Sequence, residues 1–141
     1  MELTRRNALA LGGAAFVVSL VPVNSAFAAS ELTMADIKTF AGDAVVGEGG
    51  IELTTPEIAE NGNTVPVEFS APGAKRVMLL ADGNPSPGVA TFNFYELAVA
   101  AGSTRIRLAG TQNVVAVAEM ADGTYTKVAK SVKVTIGGCG G

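Results

Sequence analysis

The residues that could do chemistry in this chain are concentrated in its last five positions, Gly137-Gly138-Cys139-Gly140-Gly141. Cys139 is the only cysteine in the chain, and its sulfur can bond covalently to a substrate or to another thiol. The flanking glycines, Gly137, Gly138, Gly140 and Gly141, lack a Cβ and leave the backbone free in φ and ψ, so the segment is costly to order. An extended arm beyond Ile136 would hold the thiol roughly 10 Å from the folded body. The pattern therefore predicts a flexible arm, residues 137–141, that carries one nucleophilic sulfur.

The rest of the sequence offers this thiol little catalytic help. The chain has no histidine, which removes both the usual general base at neutral pH and the commonest metal ligand. A single thiol without histidine does not make a metal site, and a thiol tethered in water is mostly protonated at neutral pH. We therefore expect Cys139 to be an attachment point on which other proteins act, in a protein that is not an enzyme and holds no metal or cofactor.

Other roles for Cys139 stay open on these residues alone. One cysteine cannot form a disulfide within its own chain, but it can pair with another chain. A structural or adhesive module that dimerises through Cys139 is one alternative. A thiol redox sensor, which needs a thiol with a lowered pKa, is another. A tail with an incidental cysteine is the third.

The amino-terminal residues 1–28 have the layout of a cleaved export signal. Arg5-Arg6 forms a basic start, residues 8–23 form an apolar run, and Ala26-Phe27-Ala28 is a small-residue cleavage site. The arginine pair favours the twin-arginine route over the general secretory route. Gly12, Gly13 and Pro22 interrupt the apolar run, so we expect cleavage and no membrane anchor in the mature form.

Length and charge limit the remaining possibilities. A chain of 141 residues supports one domain, and a net charge of -3 with a pI near 4.9 argues against nucleic-acid binding. Arg105 and Arg107 share one face and could bind an oxyanion, although a solvated strand face is the simpler interpretation. The loop containing Pro85 and Pro87 is better explained as a rigid connection than as a ligand site.

The mature chain begins with a helical segment, residues 29–46, in which residues 31–40 have helical spacing and Thr33 is a candidate cap. From residue 47 to 136 the pattern changes to short β-strands separated by turn residues. The strands are predicted at residues 51–54, 65–69, 76–81, 92–94, 105–108, 113–120 and 125–136.

Details of these strands give further expectations. Residues 76–81 and 113–120 are apolar on both faces, which predicts central strands, whereas Pro66 indicates a sheet edge. In the last strand, Val128, Val132, Val134 and Ile136 should be buried, and Lys130 in the same row indicates an edge or a bulge. About seven short strands with regular turns predict an antiparallel β-sandwich of immunoglobulin-like type.

The sequence resembles the SoxY family, the sulfur-substrate carrier subunits of the bacterial sulfur-oxidising (Sox) system. The resemblance runs from about residue 31 to the end, and the terminal Gly-Gly-Cys-Gly-Gly is its most specific part. The other matching segments are Pro56-Glu57-Ile58-Ala59-Glu60-Asn61-Gly62, Asn84-Pro85-Ser86-Pro87 running to Ala90-Thr91-Phe92, Ser103-Thr104-Arg105-Ile106-Arg107-Leu108 and Val114-Val115-Ala116-Val117-Ala118-Glu119-Met120.

The resemblance implies a periplasmic carrier that forms a heterodimer with a second β-sandwich subunit, SoxZ. It implies that Cys139 is joined covalently to thiosulfate or a related sulfur anion, which partner enzymes then process. A heme protein would load the thiol, a hydrolase would release sulfate, and a sulfane dehydrogenase would oxidise the remaining sulfur. A thin, side-chain-free stalk suits delivery to several recessed active sites.

Overall fold

The computed structural model describes residues 29–137, which form one helix and nine strands. The predicted export signal, residues 1–28, lies outside the described part. The helix is α1 (Glu31–Ala41), and the strands are β1 (Val46–Glu48), β2 (Glu52–Thr54), β3 (Ile58–Ala59), β4 (Val65–Ser70), β5 (Ala74–Ala81), β6 (Gly88–Asn93), β7 (Ala101–Ile106), β8 (Gln112–Met120) and β9 (Tyr125–Val134).

The strands form two sheets that pack face to face. The larger sheet has the order β1-β9-β8-β5-β6, with β3 also paired to β9, and the smaller has the order β2-β4-β7. Neighbouring strands are antiparallel except that β1 and β3 run parallel to β9. The predicted immunoglobulin-like sandwich is confirmed, with β5 and β8 in the middle of the larger sheet as expected.

The core between the sheets follows the alternation of the strands. On β4, Val65, Val67 and Phe69 are buried while Pro66 and Glu68 are exposed, as period-two spacing requires. They face a buried set on the larger sheet: Val77, Leu79, Ala81, Val114, Ala116 and Ala118.

Helix α1 covers the opposite face of the larger sheet. Its buried side chains, Ile37 and Phe40, pack on Met78, Leu80, Val115 and Val117. This second layer explains why β5 and β8 are apolar on both faces, since each face is buried against a different element.

The N-cap of helix α1 is an earlier residue than the one that the sequence indicated. Ser30, not Thr33, is the N-cap, and its Oγ accepts a hydrogen bond from the Thr33 backbone N–H at 3.2 Å. Thr33 is fully buried, and its hydroxyl donates to Asp82 instead. The helix ends at Ala41 because Gly42 has a φ of 65° and donates its N–H to the Lys38 carbonyl.

Three expectations about strands need correction. Ile136 is 68% exposed and lies beyond the end of β9, so it is not a core residue. Strand β4 is the middle strand of its sheet, and Pro66 is tolerated there because β2 ends at the pair Thr54–Glu68 and does not reach it. Strands β1 and β3 were not predicted, because strands of three and two residues have too little pattern to detect.

Lys130 occupies the edge position that the sequence indicated. The parallel partners of β9 stop at Lys127 on one side and resume at Lys133 on the other. Between them β9 is paired with β8 but has no strand neighbour on its other edge in the described part of the chain, and Lys130 is exposed in that gap.

Candidate functional site at the root of the carboxyl-terminal arm

The predicted reactive arm begins where β9 ends. Gly137 is the last residue that the structure describes, while Gly138, Cys139, Gly140 and Gly141 lie outside the described residues. The site that can be built from contacts is therefore the root of the arm, residues 134–137, together with the loops that hold it.

The loop after β3 holds one side of this root. Thr135 donates its backbone N–H to the Ala59 carbonyl at 3.1 Å and its hydroxyl to the Glu60 carbonyl at 2.9 Å. Gly62 donates its N–H to the carbonyl of Ile136 at 2.7 Å, which extends the backbone pairing past the end of β9. Backbone hydrogen bonds therefore fix the chain up to Ile136 although its side chain is exposed.

The loop after β7 holds the other side. The backbone N–H of Val134 donates to the Thr111 hydroxyl at 3.0 Å. Gly137 lies so close to this loop that a Cβ added to it would overlap the backbone carbonyl of Ala109. Glycine at position 137 is therefore required by packing as well as suited to a flexible arm.

Asn84 connects this second loop to the turn after β5. Its amide Nδ2 donates to the Arg107 carbonyl at 2.8 Å, and its Oδ1 accepts the Ala109 N–H at 2.9 Å. The same Oδ1 accepts a hydrogen bond from Gln112 Nε2 at 2.9 Å. With 6% of its surface exposed, Asn84 is one of two buried polar residues in the described part of the chain, so this network is well shielded from water.

Gln112 adds further hydrogen bonds around the turn that contains Asn84. Its Oε1 accepts the Gly83 N–H at 2.8 Å, and its Nε2 also donates to the Gly110 carbonyl at 3.1 Å. The loop that touches Gly137 is thus bonded to the turn at residues 82–88 at several points. The sequence-level interpretation of the turn as a rigid connection agrees with these bonds.

Asp82 in the same turn ties the start of α1 to the sandwich. Its Oδ1 accepts the Ser30 N–H at 2.8 Å and the Thr33 hydroxyl at 2.7 Å. Burial acts to raise the pKa of Asp82, but the hydrogen bonds from Thr33 and Ser30 outweigh it, so the pKa of this carboxyl is lowered. Asp82 is thus held as a carboxylate that anchors the helix.

The root lies in a described part of the chain that offers no candidate metal site. Within residues 29–137 no group of three or more cysteine, histidine or carboxylate side chains is arranged to hold a metal ion. Arg105 and Arg107 are both exposed, in agreement with a solvated strand face. No helix in this part of the chain has the length and apolarity needed to span a membrane.

The contacts that fix the root were not predicted as a unit. The residues concerned are Ala59, Gly62, Asn84, Ala109, Thr111 and Gln112. Asn84 followed by Pro85 was visible as a turn signal, and asparagine in turns commonly bonds nearby backbone. Its partners, however, lie 23 to 28 residues away in sequence, and no local pattern specifies them.

The fold and this site define an immunoglobulin-like β-sandwich with a cysteine-bearing segment leaving the end of its last strand. The family model for the sulfur oxidation protein SoxY matches residues 37–139. The chain therefore belongs to the SoxY family of sulfur oxidation proteins. Comparison with curated proteins gives no significant match.

Solved structures agree with this assignment. The sulfur carrier protein SoxY from Chlorobium limicola f thiosulfatophilum is 34% identical, with a TM-score of 0.67, and the match covers 74% of this chain and 96% of that one. A superoxide reductase (neelaredoxin) from Ignicoccus hospitalis is 15% identical, with a TM-score of 0.54, over 62% of this chain and 82% of its own. At that identity the second similarity concerns the fold alone.

Proposed function

We propose that this protein is a periplasmic carrier that holds thiosulfate-derived sulfur intermediates covalently on Cys139. The single observation that carries the proposal is the pairing of the Gly-Gly-Cys-Gly-Gly ending with a SoxY-family sandwich, since the similar Chlorobium structure is described as a sulfur carrier protein. Export through the twin-arginine signal at residues 1–28 would deliver the folded chain to the periplasm.

The hydrogen bonds that fix the root support separate roles for the sandwich and the arm within the carrier. Up to Ile136 the backbone is tied to two loops, and Gly137 packs against Ala109. A fixed root with a glycine-rich extension would allow the thiol to reach a partner's active site while the sandwich stays docked. Covalent attachment then keeps the sulfur group at a high effective concentration in each partner's active site.

The proposed reactions at Cys139 require partner enzymes that catalyse them and accept the electrons released. Loading joins the thiol sulfur to the outer sulfur of thiosulfate, releases the thiol proton to solvent and removes two electrons, which a heme protein accepts. Hydrolysis of the resulting S–S–SO₃⁻ group by one water releases sulfate and two protons and leaves a persulfide on Cys139. A sulfane dehydrogenase would then oxidise the outer persulfide sulfur to a sulfonate, which takes up three oxygen atoms from three waters, releases six protons and passes six electrons to the dehydrogenase. Since the chain has no histidine to act as a general base, each step is assigned to a partner and the carrier itself is not an enzyme.

The carrier is proposed to work as a heterodimer with a SoxZ-like β-sandwich subunit. A partner without its own signal could be exported together with this chain, because the twin-arginine route carries folded proteins. The chain itself has a single cysteine, so a link to that partner has to be noncovalent if the thiol is to stay available.

Intact-mass measurement tests the carrier function. After incubation with thiosulfate and the partner enzymes, the chain should gain the mass of one thiosulfate group, and Cys139→Ser should gain none. An adduct that persists in Cys139→Ser would overturn the assignment. Non-reducing electrophoresis is the second arm, because a stoichiometric, reductant-sensitive homodimer as the working form would favour the adhesive module.

A further inference from the structure

The smaller sheet has an open edge at β7. Among the described strands β7 pairs only with β4. The Ala71 N–H donates to the Ala100 carbonyl at 2.8 Å, and antiparallel pairs alternate between hydrogen-bonded and non-hydrogen-bonded. Ser103 and Arg105 therefore fall at non-hydrogen-bonded positions opposite β4, and their N–H and C=O groups point to the open edge, whereas the Ala101 N–H already donates to the Val99 carbonyl at 2.8 Å.

The core is incompletely covered beside this edge. Phe92 and Phe94 follow the row of β6 that faces the smaller sheet, yet each is only half-buried. Their aromatic partner is Phe69 on β4, at ring-centroid distances of 5.0 and 6.2 Å. The two rings are therefore left partly open to solvent, and one more strand next to β7 would add to their cover.

The loop between β6 and β7 continues the apolar surface. Tyr95 is 84% exposed, Val99 is 81% exposed, and Leu97 is fully exposed. Large apolar side chains gathered on one short loop indicate a contact surface more strongly than the same residues scattered singly. Unpaired backbone groups, half-covered aromatic rings and an apolar loop therefore lie along one flank of the sandwich.

Two arginines lie on this flank, and the exposed Glu68 on β4 is diagonally opposite one of them, Arg105. Arg105 and Arg107 are exposed, and the ion pair in the described part of the chain, Arg76–Glu119, involves neither of them. A strand that pairs with β7 would bring its own outward side chains next to Arg105. Acidic residues there would complement the arginines, because opposite charges on adjacent strands attract.

We propose that β7 accepts an edge strand from the partner β-sandwich subunit, with apolar side chains facing Phe92 and Phe94 and acidic side chains facing Arg105. The existence of that partner rests on the proposed function, whereas the surface is inferred from the flank alone. The strand would extend the smaller sheet to four strands by β-augmentation. The apolar loop at residues 94–100 lies at the end of the sandwich opposite the arm root, so a subunit bound there leaves the arm accessible to enzymes.

A second copy of this chain fits the edge less well. Antiparallel self-pairing about Ser103 would set Arg105 of one copy opposite Ala101 of the other, and Arg107 opposite Val99. Neither arginine gains an acidic neighbour in that arrangement. Tyr95 and Leu97 would extend past the end of the shared pairing and stay exposed.

The test uses the full chain co-expressed with the SoxZ-type subunit of the same genome. Ser103→Pro places a ring where the N–H points to the open edge, so it removes no bond to β4 but blocks strand addition. We expect it to weaken the heterodimer at least tenfold. Thr91→Pro is the matched control, because the Phe94 N–H bond to the Lys75 carbonyl sets Thr91 at an outward position of the other edge, β6. It should change the dissociation constant less than twofold.

Hydrogen exchange gives a readout that does not depend on a substitution. On complex formation the amides of Ser103 and Arg105 should slow at least tenfold, and those of Thr91 and Asn93 should not. Arg105→Glu should weaken binding at least tenfold and reverse its salt dependence.

The outcomes separate this inference from the proposed function. An intact heterodimer with unchanged amides on β7, or with Ser103→Pro binding as tightly as the parent, overturns the inference and leaves the carrier function standing. A β7-paired homodimer, or no binding of the SoxZ-type subunit, also overturns it. Failure to load Cys139 with unchanged heterodimer formation contradicts the carrier function alone.

Discussion

The side chain of Asn84 accepts a hydrogen bond from the backbone of Ala109 at 2.9 Å, and the carbonyl of the same Ala109 is the group against which Gly137 packs. A turn after β5 is thereby connected to the root of the arm through one residue. Because Asn84 is buried and bonds Arg107 and Gln112 as well, the position of Ala109 is fixed from the core side.

Replacing Asn84 with alanine should destabilise the sandwich. The change removes three hydrogen bonds and leaves the Arg107 carbonyl and the Ala109 N–H without partners. Unsatisfied buried polar groups cost roughly 1–3 kcal/mol each, so we expect a loss of about 2–4 kcal/mol in the free energy of unfolding. Denaturant unfolding measures this loss. Ser86→Ala, at an exposed position of the same turn, is the control and should change stability by less than about 0.5 kcal/mol.

Gly137→Ala should disturb the root of the arm. A Cβ there would overlap the Ala109 carbonyl, whereas a Cβ on Gly110 in the facing loop would have nothing within 4 Å. We expect Gly137→Ala to break the Gly62–Ile136 hydrogen bond, which amide exchange of Gly62 would report as a loss of protection. Gly110→Ala should leave that amide unchanged. Equal protection in the two variants would contradict the packing role of Gly137.

Gly102 should be intolerant of a side chain for a different reason. A Cβ at this position would lie 2.7 Å from Cζ of Phe69, a buried ring that also contacts Phe92. Overpacking of this kind costs about 1–3 kcal/mol, which thermal or denaturant unfolding of Gly102→Ala can measure. The double variant Gly102→Ala with Phe69→Leu should recover part of the loss relative to the two single variants added together. Strict additivity would mean that the ring is not the obstacle.

The bond between Thr33 and Asp82 should make stability depend on pH. The pKa of Asp82 is lowered from an ordinary value of 3.8, so the unfolded chain takes up this proton first as the pH falls. The contribution is complete above the ordinary value and disappears as the pH falls through the lower folded value. Thr33→Val removes one cause of the shift and keeps the side-chain shape, so it should be less stable than the parent at pH 7.

The stability difference between the parent and Thr33→Val should shrink once the pH is below the folded pKa. Denaturant unfolding from pH 7 down to about pH 2 covers this window. An undiminished difference at the acid end would show that Thr33 acts through packing alone and not through the charge of Asp82.

The hydrophobic period and the composition of the sequence were sufficient to predict those strands and the helix whose buried side chains follow a local pattern. The alternation of Val65, Val67 and Phe69 predicted a half-buried strand, and the uninterrupted apolar run at residues 113–120 predicted a central one. Helix α1 was predicted from its spacing, but its cap was not. Thr33 has the right side chain for a cap, and only the position of Asp82 across the fold shows that its hydroxyl is engaged elsewhere.

Features that depend on distant partners could not be predicted. Strands β1 and β3 exist because β9 offers them a parallel neighbour, and two or three residues carry no period of their own. Ile136 continued the apolar row of the last strand, yet it lies past the end of β9 and is exposed. In the candidate site, glycine and cysteine types predicted an arm that lies mostly outside the described residues, while the loops that hold its root are joined only by contacts distant in sequence.

Stiffening the arm beyond Gly137 should impair turnover without affecting the fold. Replacing Gly138 and Gly140 with valine adds branched side chains to a segment whose four glycines were inferred to provide reach. The free energy of unfolding should match that of the parent, because the hydrogen bonds that hold the root end at Ile136. Loading of Cys139 and release of sulfate by the partner enzymes should both slow, and intact mass against time measures each step. If the double variant turned over as fast as the parent, the glycines would not be explained by reach into recessed sites. If loading slowed while sulfate release from the loaded protein stayed normal, the flexible glycines would be needed only by the enzyme that attaches thiosulfate.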